Sequence, residues 1–243
     1  MQTKKVAMYS AAQQVDLYLQ NNKELLKPYK KDSTAFIFYD NHNNPLITLL
    51  EKAHDITAYA NIMKLTTFSM EPNNKLKEIA VLEMQILNST SYADHCLAEI
   101  FVDPNFTKRG IASALLECIN YLLASQDINY YDSVTTPDYD RSDDAQLERF
   151  YKKNGFKTSP AFDASGKPYH EIEKTITADE IQKYKEKLIR MPVNSKFGKG
   201  WNYYIVPQSK NVEATYILDN KKVIPNYSNN IAANNTSQNE LNI

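Results

Sequence analysis

The sequence predicts an α/β protein: a mixed, mostly antiparallel sheet flanked by helices, followed by a C-terminal extension. Three observations carry that reading. Short β-branched or aromatic runs separated by turn-forming clusters fill much of residues 34–102, the pattern of an antiparallel meander. The last of these runs, "CLAEIFV" (96–102), leads within a few residues into an apolar stripe of helical period that begins at Gly110. Strand-like and helix-like segments then alternate as far as residue 176, as helices packed on a sheet require.

In chain order, Ser10 and Gln13 have capping-box spacing, and Ala11, Val15, Tyr18 or Leu19, and Leu25 or Leu26 recur at helical period until Pro28. A first helix is expected there. "TAFIFYD" and "PLITLLE" flank the turn-forming "NHNN", which predicts a hairpin over 34–40 and 45–51, whereas 52–76 has no clear pattern. "EIAVLEMQIL" (78–87) and "CLAEIFV" are two further strands. Ile111, Leu115, Cys118 or Ile119, Leu122 and Leu123 share one face, so a helix runs from about Gly110 to about Ser125. "INYYDSVTT" (128–136) reads as a strand, and "PDYDRSDD" supplies turn residues and N-caps for the helix "AQLERFYKKN". Gly155 ends that helix, with Phe156 folding back on Phe150 or Tyr151 in a Schellman cap. "YHEIEKTI" (169–176) is the last strand of the core domain. Thr177 and Glu180 form a second capping box, opening a helix with Ile181, Tyr184 and Leu188 on one face and Pro192 beyond it. "GWNYYIVP" and "EATYILDN" read as two more strands, and the asparagine-rich 226–243 has too little apolar content to fold alone. The expected organisation is a domain at 1–176, an extension at 177–225 and a disordered tail at 226–243.

A net charge of −1 gives no global reason to expect nucleic acid or an anionic membrane as partner. The opening "MQTKKVAMYSAAQQ" lacks the apolar stretch of a signal peptide, and no run of about 18 apolar residues occurs, so a soluble, cytoplasmic protein is expected. Cys96 and Cys118 are too few for a disulfide framework and read as small buried hydrophobes. His42, His54, His95 and His170 show neither an i, i+4 pair nor a zinc-like spacing with the cysteines, so no metal is expected.

The chemistry concentrates in "FTKRGIASALLEC" (106–118), which holds one of only five glycines in 243 residues. The first turn of a helix presents backbone N–H groups without partners and carries partial positive charge, which suits a phosphate. Gly110 and Ala112 leave room for close approach, Ser113 adds a hydroxyl, and Lys108 and Arg109 add charge, which together describe a diphosphate site. The plainer alternative is a turn glycine of positive φ beside solvated cations. The spacing is neither G-x-x-x-x-G-K-[ST] nor G-x-G-x-x-G.

"IFVDPNFTKRGIASALL" followed by "LERFYKKNGF" resembles the two signature segments of the GCN5-related N-acetyltransferase (GNAT) family. Val102, Pro104, Gly110 and Ala112 are in register with its V-x-P and [QR]-x-x-G-x-[GA] loop, and Tyr151, Gly155 and Phe156 with its Y-x-x-x-G-F segment. Thr107 stands where the family usually has Gln or Arg, and Asp144 where it often has Asn. The resemblance spans about 34–176 and implies acetyl-CoA as cosubstrate. It implies a diphosphate held by Thr107, Lys108, Arg109, Gly110, Ile111, Ala112 and Ser113, with Asp144 contributing from the next segment. It also implies a pantetheine arm beside the main chain of Ile100, Phe101 and Val102, whose N–H groups would polarise the thioester carbonyl.

Acyl transfer to an amine poses two proton problems. The amine must lose a proton before attack, and the departing thiolate gains from receiving one. At the family's tyrosine position, Tyr151 is the expected general acid. Glu99, ranked ahead of Glu83 on the preceding strand, is the candidate base. Asp132, Asp138, Asp140, Asp143 and Asp144 would favour a cationic acceptor or else serve turns and the next N-cap. "KFGKGWNYYIV", with Trp201, reads as a strand covering a sheet edge or as a nucleic-acid or peptide surface. The expected function is acetyl-CoA-dependent N-acetyl transfer to a primary amine, on a small molecule or peptide, directly within a ternary complex. The alternative is a non-catalytic acyl-CoA-binding or interaction protein of the same fold. No membrane partner is expected, nucleic acid is not expected, and a homodimer is allowed.

Overall fold

The computed structural model describes residues 17–27, 29, 33–42, 44–51, 55–57, 60–88, 93–135, 144–187, 189–191, 202–205, 214–219 and 222–227. Residues 17–21 are helical (α1) and turns follow to 27, with Leu19 and Leu26 buried. Ser10, Ala11, Gln13, Val15 and Pro28, expected in or just after this helix, lie outside the described residues. Strands β1 (Thr34–Tyr39) and β2 (Pro45–Glu51) form the expected hairpin, in register from Ala35↔Leu49 to Tyr39↔Pro45.

The patternless 52–76 contains the short strand β3 (Asp55–Thr57) and the long strand β4 (Ala60–Glu71). Thr66 and Thr67 of β4 are as buried as Leu65 and Phe68, and Thr67 shares a 2.8 Å hydroxyl bond with Thr48. A strand covered on both faces shows no polar–apolar alternation, which hid it in the sequence. Next come β5 (Lys75–Asn88), β6 (Ala93–Val102), helix α2 (Ile111–Ser125) and β7 (Tyr130–Thr135). Helix α3 (Asp144–Lys153), β8 (Lys157–Phe162), β9 (Pro168–Thr175) and helix α4 (Ala178–Lys187) complete the part expected as the core domain and the helix after it. Strand β8 was not anticipated: it contains Pro160, is largely solvent-facing and forms the sheet's edge, where proline is tolerated. Beyond lie β10 (Ile189–Met191), β11 (Asn202–Ile205) and the hairpin β12 (Ala214–Asp219) with β13 (Lys222–Tyr227). Leu188, Pro192, Trp201 and 228–243 are outside the described residues.

The main sheet runs β10-β11-β1-β2-β4-β5-β6-β7-β9-β8, with β3 on β4. It is antiparallel except where β1 meets β11 and where β6 meets β7. The β6–β7 connection passes through α2, the crossover that parallel strands require. One face of the sheet packs Phe36, Leu65, Leu82 and Leu97 against Ile111, Leu115 and Ile119 of α2. The other packs Ala35, Ile37, Ile47 and Phe68 against Leu19 and Leu26. Each fully buried side chain of this size contributes roughly 1.5–3 kcal/mol.

Local signals set the helix ends. Phe156 N–H donates to Tyr151 O at 3.1 Å and Gly155 N–H to Lys152 O at 3.0 Å, with Gly155 at φ 81°, so α3 ends in the expected Schellman cap. The rings of Tyr151 and Phe156 meet edge to face at 5.2 Å. At α4, Glu180 N–H donates to Thr177 Oγ1 at 3.2 Å while Thr177 N–H donates to Glu180 Oε2 at 3.0 Å, a complete capping box. Helix α4 is tied to α2 and β7 by a polar chain in which Tyr131 donates to Asn120 Oδ1 at 2.8 Å and Asn120 Nδ2 donates to Tyr184 Oη at 3.1 Å. Cys118 is buried, and burial pushes its thiol well up, whereas Cys96 is only half-buried, unlike the buried position expected of it. Among the described residues, no helix is long and apolar enough to cross a membrane.

Candidate active site

Between β6 and α2 the chain makes a compact loop. Asp103 N–H donates to Ile79 O at 2.7 Å, prolonging the contact with β5, and Asp103 Oδ1 accepts from Asn105 N–H at 2.9 Å to start a 3₁₀ turn over Pro104–Phe106. That hydrogen bond, with the Lys77 ammonium 3.1 Å away, holds the Asp103 carboxyl below the usual carboxylate range. Thr107 Oγ1 donates to Pro104 O at 3.0 Å. Lys108 and Gly110 are then both left-handed, at φ 62° and 82°. For Gly110 this conformation is unstrained.

Gly110 caps α2 without a side chain, and the first intrahelical bond is Ala114 N–H to Gly110 O at 3.0 Å. The amides of Ile111, Ala112 and Ser113 precede that bond and belong to the positive end of the helix. Of the two cations, Lys108 is exposed, whereas Arg109 is turned onto the loop. The Arg109 guanidinium donates to Asn105 O at 2.9 Å, lies 4.6 Å from the Phe106 ring centroid and sits 3.6 Å from the Asp40 carboxylate. Burial alone would raise the Asp40 pKa. Hydrogen bonds from Asn44 and His42, with the Arg109 charge, outweigh it and hold that carboxyl below its ordinary value.

Beside the loop β6 lies between β5 and β7. Among the described residues the parallel register of β6 and β7 holds one pair, Cys96↔Asp132, and Ser133 Oγ donates to Leu97 O at 2.6 Å just beyond it. On the other side β6 stays paired with β5 as far as Ala80↔Val102, with a register shift that sets Glu83 opposite Glu99 and Met84 opposite Leu97. Ala98 is thus the extra residue of a bulge, a device that bends a strand and re-aims it. Among the described residues, the main chain of Ile100, Phe101 and Val102 has no partner in β7 and leads into the amide-rich loop.

Tyr151 of α3 is 8% exposed and belongs to the cluster that contains Leu97 of β6 and Ile111 of α2. Desolvation pushes its pKa up to about 12. Ile100 and Val102 pack toward the same cluster, so Glu99 and the exposed Phe101 point to the opposite face. The structure does not bring Tyr151 and Glu99 onto one face of β6. Glu83, paired across the sheet with Glu99, is held by Lys64 Nζ at 3.2 Å. Asp144 is the first residue of α3, and its side chain is outside what is described, as are Asp138, Asp140 and Asp143.

Sequence reasoning missed Asp40 and Asn41, read only as part of the hairpin and its turn. Asn41 N–H donates to Arg109 O at 2.9 Å and Asn41 Nδ2 to Lys108 O at 3.2 Å. Those partners are 67 residues apart for Asn41 and Lys108, so no local pattern marks them. Phe106, the platform for Arg109, was also missed: it lies only three residues before the arginine, but the spacing does not show that the guanidinium turns back onto the ring.

In this α/β protein a strand thus runs into an amide-lined helix start, with a buried tyrosine on the following helix. Residues 73–158 match the family model described as acetyltransferase (GNAT) domain. The matched segment holds the loop, the β6 residues Ile100 to Val102 and Tyr151. Among solved structures, the chain is similar to the ribosomal-protein-S18-alanine N-acetyltransferase from Escherichia coli, at 17% identity over 52% of this chain and 82% of that chain, TM-score 0.34. It is similar to Ard1 from Thermoplasma volcanium, at 17% identity over 47% of this chain and 70% of that chain, TM-score 0.35. It is also similar to the PaiA N-acetyltransferase from Thermoplasma acidophilum in complex with coenzyme A, at 18% identity over 47% and 60% of the two chains, TM-score 0.34. No curated protein matches the chain.

Proposed function

We propose that this chain is an acetyl-CoA-dependent N-acetyltransferase that passes the acetyl group directly to a primary amine in a ternary complex. The observation that carries the reading is β6, without a partner in β7 at Ile100 to Val102 among the described residues, running into the start of α2 within the segment that matches the GNAT model. On this reading the amides of Gly110 to Ser113, with exposed Lys108, take the diphosphate, and Thr107 and Arg109 shape the loop around it. The main chain of Ile100 to Val102 takes the pantetheine arm, and an N–H there polarises the thioester carbonyl. Asp144 contributes to the cosubstrate from the start of α3.

In the transfer, the amine nitrogen bonds to the acetyl carbon and the carbon–sulfur bond breaks. The amine proton passes through water to Glu99, on the face of β6 away from Tyr151, so the two protons move on opposite sides of the strand. Tyr151 holds its proton at any physiological pH and offers it to the thiolate sulfur. Glu99 is preferred to Glu83 as base because Lys64 already engages Glu83. The acceptor is a small molecule or a peptide.

The test is thiol release from acetyl-CoA, followed with dithionitrobenzoate against polyamines, aminoglycosides, amino acids and peptides. Release that depends on one class of amine supports the reading. Tight binding of acetyl-CoA with no release on any acceptor would instead favour a non-catalytic acyl-CoA-binding protein, which Thr107 and Asp144 fit.

A further inference from the structure

We propose that the β1–β2 turn, through Asn41 and Asp40, positions the anion-binding loop and thereby sets its affinity for the diphosphate part of CoA. The inference rests on reading that loop as the CoA site. Asn41 holds two successive carbonyls, its N–H donating to Arg109 O at 2.9 Å and its Nδ2 to Lys108 O at 3.2 Å. Among the described residues no peptide bond is cis. In a trans peptide the N–H points opposite to the carbonyl of the same unit. Drawing the carbonyls of Lys108 and Arg109 onto the turn therefore aims the N–H groups of Arg109 and Gly110 away from it. Successive amides presented in this way form an anion-binding concavity.

The described residues of the turn are held by hydrogen bonds of their own. The buried Asp40 carboxylate accepts from His42 N–H at 2.9 Å, Asn44 N–H at 2.8 Å and Asn44 Nδ2 at 3.1 Å, and Asp40 N–H donates to Asn44 O at 3.0 Å. A further contact, Arg109 at 3.6 Å, helps keep the guanidinium folded on the loop. Contact is close enough that a Cβ added at Gly110 would lie 3.0 Å from Asn41 Oδ1, so Gly110 is needed for the fit with the turn as well as for its φ.

The test compares wild type, Asn41→Ala and Asp40→Asn by calorimetric titration with CoA and with acetylpantetheine, which lacks the diphosphate. Asn41→Ala keeps the backbone donor and loses the side-chain one, so its CoA Kd should rise about fivefold, the worth of one hydrogen bond. Acetylpantetheine affinity should stay within about twofold of wild type, because that ligand carries no diphosphate for the loop amides to hold. Asp40→Asn should show the same split, and amide exchange in unliganded Asn41→Ala should quicken at 109–113 while β5 stays protected. An unchanged CoA Kd, or equal weakening of both ligands, would overturn the inference. A wild-type chain that binds no CoA would instead overturn the site reading on which it rests.

Discussion

Replacing Tyr151 with Phe removes one hydroxyl and little else. The ring packs edge to face on Phe150 and Phe156, at 5.2 Å to each, and both contacts survive in phenylalanine. Two magnitudes compete for the effect on rate. A general acid that transfers its proton fully is worth about 10²- to 10⁴-fold. With its pKa pushed up to about 12, however, Tyr151 is a weaker acid than the thiol it would form. Against a thiol near 8.5 the gap is about 5 kcal/mol, which opposes full transfer. What remains is a hydrogen bond to a developing thiolate, worth about 1.5–3 kcal/mol, or roughly a 10- to 150-fold fall in kcat. Steady-state kinetics at saturating acceptor, with the acetyl-CoA Kd measured by titration, separates the effects: kcat falls by that factor while Kd moves little. The same reasoning expects no descending limb between about pH 8 and 11 from Tyr151 in the wild-type profile. An unchanged kcat in Tyr151→Phe would refute its role. A wild-type descending limb near pH 9–10 that vanishes in the variant would refute the picture of a strongly desolvated phenol.

Three further outcomes are expected. Gly110→Ala forces a left-handed alanine, at about 1–2 kcal/mol, and crowds Asn41, so the CoA Kd should rise at least tenfold by titration, and a wild-type Kd would contradict the loop reading. Gly155→Ala, at φ 81°, would place a Cβ 2.7 Å from Lys174 Nζ, whose side chain is only 4% exposed and ion-paired with Glu180. Gly166 has the same φ with nothing within 4 Å, so urea denaturation should show Gly155→Ala losing clearly more stability than Gly166→Ala, and equal losses would count against the buried lysine as a constraint. For Asp40 the folded pKa is depressed, so its stabilisation is present above the unfolded value of about 3.9 and is lost as pH falls through the lower folded value. Stability measured between about pH 2 and 6 should therefore fall less steeply with acidification in Asp40→Asn, and parallel curves would contradict this linkage.

What was legible in the sequence is what depends on neighbouring residues. Gly110 before a helical stripe, Gly155 followed by Phe156, and Thr177 three residues before Glu180 all act through hydrogen bonds a few residues long, and each stands where its spacing predicts. Strand β4 was hidden because Thr66 and Thr67 are buried like their apolar neighbours, and β8 because Pro160 and solvent-facing residues resemble a loop. Within the candidate site, the sequence supplied Arg109 as a cation. Only the fold shows its charge spent on Asn105, Phe106 and Asp40. The clasp of Asn41 on the loop joins residues far apart in the chain, and no periodicity encodes such a contact.

Hydrogen exchange of the chain with and without saturating acetyl-CoA reads both halves of the proposed cosubstrate site at once. Slowed exchange is expected in two places, β6 at 98–102 and the helix start at 109–113, with β8 and β9 unchanged. Binding that leaves both segments unprotected, or no binding at millimolar acetyl-CoA, about −4 kcal/mol or weaker, would contradict the proposed site.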